Sequence, residues 1–452
     1  MKDQNDETQP AAVAAATPPK QAGEARDPWW WVERSVWTER MLTRLTTSEP
    51  ANRVWFALAD KTHAPANLQS ALQKVWRNGG SAGADEQTVA HFARQAEQEL
   101  QRLHEQLRLG TYRPQPVRRA WIPKPGSREK RPLGIPAVRD RIVQGALRHV
   151  LEPIFEMEFA EHSYGFRPGR GAKDALRRVD TLLKAGHDWV VDADLKSYFD
   201  TIPHERLLAL VTERVADGRV LALVESFLRA GVLEEAKGWQ PTERGTPQGG
   251  VISPLLANLY LNPLDHQMER AGWAMVRYAD DFVILCRSEA EAQAALEAVR
   301  KWVSEAGLTL HPEKTRIVNA TQPGGFDFLG YHFERGMRWP RKKSLAKLKD
   351  RVRAKTSRLD GRKLADIVAD VNRSLRGWYG YFQHSKSTTF AYVDGYVRRR
   401  LRSVLQWRLD GVGKGIGAAH HRWPNEWFAH CGLLSLAAEH EWTRTIVRLR
   451  TH

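Results

Sequence analysis

The sequence predicts an α+β fold: an antiparallel sheet covered by helices, followed by an all-helical basic region. Three observations carry this. Short apolar runs of strand type fall mid-chain at 189–194, 273–278 and 282–286, and the last two are joined through Ala279, Asp280 and Asp281 as a tight hairpin. Stretches with helical spacing fill the gaps between them. After Gly336 the pattern is helical only, and residues 333–452 hold 26 basic and 10 acidic side chains, whereas the preceding 332 residues hold 43 of each. The whole net charge of +16 therefore sits in the last quarter of the chain, the pattern of a chemical unit joined to a polyanion-binding unit.

Taken in order, the elements are as follows. A chain of 452 residues exceeds one simple core and suggests several domains. Residues 1–28 are poor in apolar side chains, carry Pro10, Pro18, Pro19 and Pro28, and read as disordered, without the apolar core of a signal peptide. Trp29, Trp30 and Trp31 either stack on bases or pack onto the body. Leu68 to Leu109 has helical spacing broken by a turn-rich run at 78–83. The proline-rich run 112–135 alternates apolar and polar residues, as extended segments and turns do. Helices are expected over 139–155, 203–215, 219–230, 253–271 and 289–305. Beyond Gly336, three apolar stripes (Leu345 to Leu359, Leu364 to Phe382, Tyr396 to Leu405) make a small bundle with a basic wet face. Trp378 and Tyr381 suit packing between those helices. A glycine-rich joint at 411–417 then leads into a short tail.

Two exclusions narrow the function. No apolar stretch approaches the ~18 residues of a membrane span. Cys286 and Cys431 are the only cysteines, too few for a disulfide framework or a paired-cysteine zinc site. A reducing, cytoplasmic setting with no membrane partner is expected.

The sharpest chemical signal is Tyr278-Ala279-Asp280-Asp281 at the hairpin tip. Adjacent carboxylates repel, and a divalent cation between them removes the repulsion, since hard oxygen ligands suit Mg²⁺. A solvated turn is the alternative, but the flanks are apolar on both sides. Asp192 and Asp194 point to one face of a neighbouring strand. Three acids from adjacent strands would suit a two-metal site, with the ions about 3.5–4 Å apart.

The order Asp194, Gln248-Gly249, Tyr278-Ala279-Asp280-Asp281, Lys314, Leu329-Gly330 resembles the successive blocks of reverse transcriptases. The wording of the blocks is similar to group II intron-encoded reverse transcriptase/maturases. The segments that carry this are Asn78-Gly79-Gly80 with Gly83-Ala84-Asp85, Ile122-Pro123-Lys124-Pro125, Arg131-Pro132-Leu133-Gly134-Ile135-Pro136, Ser163-Tyr164-Gly165-Phe166-Arg167-Pro168, Gly245-Thr246-Pro247-Gln248-Gly249-Gly250 and Arg376-Gly377-Trp378. The likeness runs from about Asn52 to His452.

The resemblance implies a right-hand polymerase and assigns roles. Asp194, Asp280 and Asp281 are the catalytic carboxylates that hold two Mg²⁺ ions, with Mn²⁺ a possible substitute, and Asp192 is a supporting acid. Phe199 is the steric gate that rejects a 2′-hydroxyl. Lys124 and Arg141 bind the incoming triphosphate, a helix-surface ion pair near Asp140 being the lesser alternative for Arg141. Gln248 lies in a glycine-rich turn that lets backbone approach the nascent base pair. Tyr278 packs near the primer end, and Lys314 is a basic residue near the active site or a solvated lysine. Lys342, Lys343, Arg351, Arg353, Arg398 and Arg399 belong to a basic thumb/maturase region that grips RNA by phosphates and shape. The segment 79–85 resembles an insertion that helps hold template.

The implied organisation is a disordered or poorly packed extension over 1–51, fingers over 52–185, palm over 186–332, helical thumb/maturase region over 333–410, and a tail over 411–452 with a possible DNA contact. Some relatives carry a C-terminal His-Asn-His endonuclease braced by paired cysteines. Cys431 stands alone, so the expectation is the type lacking that nuclease. The implied function is an RNA-directed DNA polymerase that binds intron RNA, assists its splicing and copies an RNA template from a DNA or RNA primer with deoxynucleoside triphosphates, target DNA being a further partner. Two alternatives stand beside it: an RNA-binding splicing cofactor with a vestigial polymerase, and a domesticated reverse transcriptase in phage defence or a CRISPR context.

Overall fold

A computed structural model describes residues 27–47, 54–123, 130–411 and 416–450. The expected disorder over 1–26 and most of the glycine-rich joint lie outside the described residues. The chain divides into a short unit, Met1–Val32, and a large one, Glu33–His452. In the short unit the rings of Trp29 and Trp31 lie 6.0 Å apart.

The strands of the large unit are β1 (Val117–Pro123), β2 (Lys130–Ile135), β3 (Trp189–Asp194), β4 (Val232–Glu234), β5 (Gly238–Gln240), β6 (Ala274–Tyr278), β7 (Asp281–Cys286), β8 (Arg316–Asn319), β9 (Phe326–Phe328), β10 (Tyr331–Glu334) and β11 (Met337–Pro340). They form three sheets, ordered β2-β1-β4-β5, β6-β7-β3-β8 and β11-β10-β9. The second is antiparallel throughout and lies at the centre. In the first, β1 and β2 form a hairpin while β1 and β4 run parallel.

Period-two alternation splits the central sheet into two faces. Val191, Ala193, Phe282 and Ile284 are fully buried on one face, where the helices Ser253–Arg270 and Glu289–Glu305 pack against these strands. On the other, Val190, Val276, Val283 and Leu285 join a core with Val179 and Leu182 of the helix Ala172–Lys184 and with Phe326 and Phe328 of β9. The sheet is therefore covered on both faces. The end bearing Asp194 and Asp281 stays partly open, because a carboxylate there has no apolar layer to join.

The basic region is a bundle of the helices Lys342–Lys355, Leu364–Phe382 and Thr388–Asp410. Leu348, Val352, Ile367, Val371, Leu375, Val397 and Leu401 are its buried stripe. Trp378 is buried with its ring 4.9 Å from that of Phe382.

Two expectations about the ends are corrected. The segment before residue 52 is not uniformly loose: the helix Glu39–Thr47 buries Leu42 and Leu45, and Trp37 Nε1 donates to the His149 carbonyl at 2.9 Å. Nor is the stretch beyond Gly411 a bare tail. Arg402 Nε donates to the Trp423 carbonyl at 2.8 Å, and Asn372 Nδ2 to that of Gly432 at 2.7 Å. The Asp394 carboxylate accepts from the amides of Leu436 (2.9 Å) and Ala437 (3.1 Å), satisfying the orphan donors at the start of the helix Leu436–Arg450. Among the described residues, no helix is long and apolar enough to cross a membrane.

Candidate active site

The site grows out of strand register. Asp194, the last residue of β3, pairs with Asp281, the first of β7, and Asp281 pairs on its other side with Tyr278. Only Ala279 and Asp280 lie between the strands, so the turn has two residues, and Ala279 takes the left-handed φ of +59° that such a turn needs at its first position. Three acids thus stand at one sheet end. Asp192 lies on the same face two residues back, its Oδ2 3.3 Å from Arg316 Nε.

Burial dominates the electrostatics. It pushes Asp281 up to about 7, and the charges of Asp192, Asp280 and Asp194 push the same way. It raises Asp280 above the ordinary carboxylate range too, with Asp194 adding and Arg131 and Arg277 opposing. Asp192 is lifted to about 6 by burial despite Arg316. Lys314 reaches the cluster because the loop before it is laced to β3. His311 N donates to the Asp194 carbonyl at 2.7 Å, Lys196 N donates to that of Thr309 at 2.8 Å, and Lys314 Nζ meets Asp194 Oδ2 at 2.5 Å.

This donor set fits a hard divalent cation. It is all carboxylate, from adjacent backbone positions, and burial together with the neighbouring acids makes two of its members hold their protons more tightly, a cost that a cation would relieve. Among the described residues, no three His, Cys, Asp or Glu side chains are gathered closely enough to hold an ion as they stand. Repulsion between the acids and the Lys314 contact favour that spread.

The nucleotide side holds both agreements and additions. Phe199 is half-buried in the short helix Tyr198–Thr201, five residues beyond Asp194, and Tyr198 anchors that turn by donating its hydroxyl to the Ala257 carbonyl at 2.5 Å. The glycine-rich turn around Gln248 is tied to the same segment, since Thr246 N donates to the Phe199 carbonyl at 2.7 Å. Its glycines serve the protein's own packing. A Cβ on Gly245 would stand 2.7 Å from the Phe199 carbonyl oxygen, and one on Gly249 2.3 Å from that of Gly134. That close protein contact is a reason for these glycines that the sequence did not display.

Arg141 has partners within the fold. It is buried, and its guanidinium donates to the carbonyls of Pro136 (2.9 Å), Gly79 (3.4 Å) and Ser81. With Arg118, which donates to the Ala82 carbonyl at 2.8 Å, it clamps the 79–82 segment, a use of the side chain within the fold. Lys124 lies outside the described residues. Sequence reasoning missed Arg131, which pairs across the β1–β2 hairpin with Ile122 and whose charge acts on Asp280.

Tyr278 is half-buried, its ring 6.4 Å from that of Phe166. Lys342, Lys343 and Arg351 are exposed along the first bundle helix, and Arg353, also exposed, pairs with Asp350 at 2.7 Å. On the third, Arg398 is half-buried and the Arg399 guanidinium lies 5.7 Å from the Tyr396 ring.

Comparison with known proteins agrees with this geometry. Residues 122–333 match the family described as reverse transcriptase (RNA-dependent DNA polymerase). Residues 345–414 match the group II intron, maturase-specific domain. Protein YkfC of Escherichia coli (strain K12) is 37% identical over 279 residues, covering 52% of this chain and 71% of YkfC. Group II intron-encoded protein LtrA of Lactococcus lactis subsp. cremoris is 41% identical over 199 residues, covering 43% of this chain. An uncharacterized 91 kDa protein in the cob intron of Schizosaccharomyces pombe is 33% identical over 264 residues, covering 45% of this chain. The chain spans only 32% of each of these last two relatives. With a polymerase domain built on paired carboxylates and a maturase domain behind it, the chain belongs to the group II intron type of reverse transcriptase/maturase.

Proposed function

We propose that this chain binds a group II intron RNA, assists its splicing, and copies RNA into DNA for intron mobility by extending a 3′-hydroxyl primer. The observation that carries the reading is the Asp194–Asp281 pair with Asp280 beside it. A divalent metal is the general requirement of the family. The finer proposal is two Mg²⁺ ions, replaceable by Mn²⁺, held by Asp194, Asp280 and Asp281. Bound there, the ions would activate the primer 3′-hydroxyl and stabilise the departing pyrophosphate.

The chain's own residues divide the remaining work. Arg131, with Lys124, meets the triphosphate of the incoming deoxynucleotide. Phe199 excludes a 2′-hydroxyl at the sugar, and Gln248 lies beside the nascent pair on a turn anchored to the gate. Lys314 Nζ balances the charge on Asp194. Tyr278 supports the primer end.

Fingers over 52–185, palm over 186–332 and thumb/maturase region over 333–410 are the proposed division of labour. The exposed cations from Lys342 to Arg351 would track RNA phosphates, which supply affinity without reading sequence. Template, DNA or RNA primer and target DNA are the proposed nucleic-acid partners, in a cytoplasmic setting.

Primer extension on an RNA template with deoxynucleotides and Mg²⁺ tests the reading, with wild type beside Asp280→Asn. Extension by wild type alone supports it. Absence of extension by either, with tight salt-sensitive RNA binding retained, would instead favour a splicing cofactor with an inert polymerase.

A further inference from the structure

Arg277 lies next to the catalytic tetrad in sequence but on the opposite face of the sheet. Alternation puts Tyr278 and Asp281 toward the open end and Arg277 toward the helix Ser253–Arg270. It is completely buried, and each of its guanidinium nitrogens is engaged. Nε donates to Asp265 Oδ1 at 2.7 Å, and Nη2 to Asp265 Oδ2 at 2.5 Å and Ser163 Oγ at 2.7 Å. Nη1 donates to Asn258 Oδ1 at 3.0 Å and to the Ala279 carbonyl at 2.8 Å. That last bond folds the side chain back onto the turn that carries Asp280.

Three separate pieces of the chain meet on this one side chain. Asp265 and Asn258 come from the helix below the sheet, Ser163 from the loop before the palm strands, and Ala279 from the hairpin turn. The loop is bonded to the same strand by backbone: Arg277 N donates to the His162 carbonyl at 3.0 Å and Tyr164 N to the Arg277 carbonyl at 2.9 Å. Asn258 Nδ2 closes the ring by donating to the Gly165 carbonyl at 2.7 Å. Gly165 sits so close to the turn that a Cβ there would stand 2.3 Å from the Ala279 nitrogen.

A buried ion pair is a poor source of net stability, because desolvation consumes most of its Coulombic gain, and an apolar pair of similar volume often does as well. What a guanidinium supplies and an apolar side chain cannot is a planar fork with fixed directions. Here one tine of the fork ends on the carbonyl of a non-glycine residue in the left-handed region, a conformation that L side chains rarely adopt and that needs holding.

We propose that Arg277 is the positioning residue of the catalytic hairpin: braced by Asp265 and Asn258, it holds the Ala279 carbonyl and so sets where the carboxylates of Asp280 and Asp281 stand to receive divalent metal. The proposal rests on reading those two acids as metal ligands.

The test uses the full chain and reads Mn²⁺ binding directly by electron paramagnetic resonance, alongside the Mg²⁺ dependence of primer extension and a thermal melt. Asp281→Asn is the control for the ligand reading. Unchanged Mn²⁺ binding in that variant would remove the reading itself, whatever Arg277 does. Arg277→Lys keeps a charge opposite Asp265 but cannot reach Asn258, Ser163 and Ala279 together. It should weaken Mn²⁺ binding about tenfold or more and raise the half-maximal Mg²⁺ concentration in step, with RNA affinity unchanged.

The double variant Arg277→Met/Asp265→Leu should melt near wild type and still show the weakened Mn²⁺ binding, which a purely structural pair would not produce. Mn²⁺ binding within twofold of wild type in either variant overturns the proposal. So does a double variant that melts more than about 10 °C below wild type, which would mark the pair as a prop of the fold.

Discussion

Asp194 and Asp281 stand directly opposite each other where β3 meets β7, so two acids that repel are fixed on one face by the ladder itself. Such a pairing weakens a sheet unless something positive enters between the strands. Lys314 does so in part, at 2.5 Å from Asp194.

We predict that Asp280→Asn and Asp281→Asn each lower primer extension by roughly two orders of magnitude or more, the scale of losing metal assistance at the reacting oxygens. RNA affinity should be unchanged, because the basic helices lie outside this sheet. A filter-binding assay beside the extension assay checks both halves, and full extension by both variants would remove the metal assignment.

The raised Asp281 makes a pH prediction. Its folded value of about 7 lies above its unfolded value near 3.8, so folding favours the protonated form. The stability it contributes is fully present below pH 4 and is lost as pH rises through 7. Without divalent metal, Asp281→Asn should therefore melt like wild type near pH 4 and increasingly above it up to pH 8, by a difference on the order of 1–3 kcal/mol. Melting curves in EDTA across that range check the sign. A difference independent of pH would assign it to another cause.

Phe199→Ala should raise ribonucleotide incorporation relative to deoxynucleotide incorporation, by roughly tenfold or more if the ring contributes the 1–3 kcal/mol of a steric pocket wall. Competition between matched ribo- and deoxynucleotides in single-turnover extension measures it. Unchanged sugar discrimination would take the gate role from Phe199.

Arg131 and Arg141 should behave in opposite ways. Arg131→Ala is expected to raise KM for deoxynucleotides with little change in melting temperature. Arg141→Ala strips donors from the carbonyls of Pro136, Gly79 and Ser81, and should lower the melting temperature with a smaller effect on KM. The reverse pattern would give the triphosphate role to Arg141.

Neutralising Lys342, Lys343, Arg351 and Arg353 together should weaken RNA binding and flatten its salt dependence. The log–log slope should change by roughly two to three units, at about 0.7–0.9 per phosphate contact, with Arg353 contributing least because Asp350 holds it. A slope that stays put would mean this helix faces away from the RNA.

Legibility followed range. The catalytic hairpin was readable because its turn is two residues long and both flanks are apolar, so local pattern settles the geometry. The bundle was readable because its stripes at Leu348, Val352, Ile367 and Val371 keep helical spacing. The structural partners of Arg141 were not readable because a sequence displays a charge but not the carbonyls that meet it, and two of those come from a segment some sixty residues earlier. The glycines around Gln248 were read as openings for substrate, yet what crowds them is the backbone of Phe199 and Gly134, brought in by pairing that no local pattern encodes. Arg277 was passed over for the same reason: its partners Ser163, Asn258 and Asp265 converge only in the fold.

The caps and anchors beyond Gly411 bear on handling the protein. Trp423, Phe428 and Leu436 are roofed onto the bundle, held by Arg402, Asn372 and Asp394. A version trimmed at the glycine-rich joint would leave an oily scar on the remaining helices and three side chains with severed anchors. Insolubility during expression, rather than a lost grip on DNA, would be its first symptom.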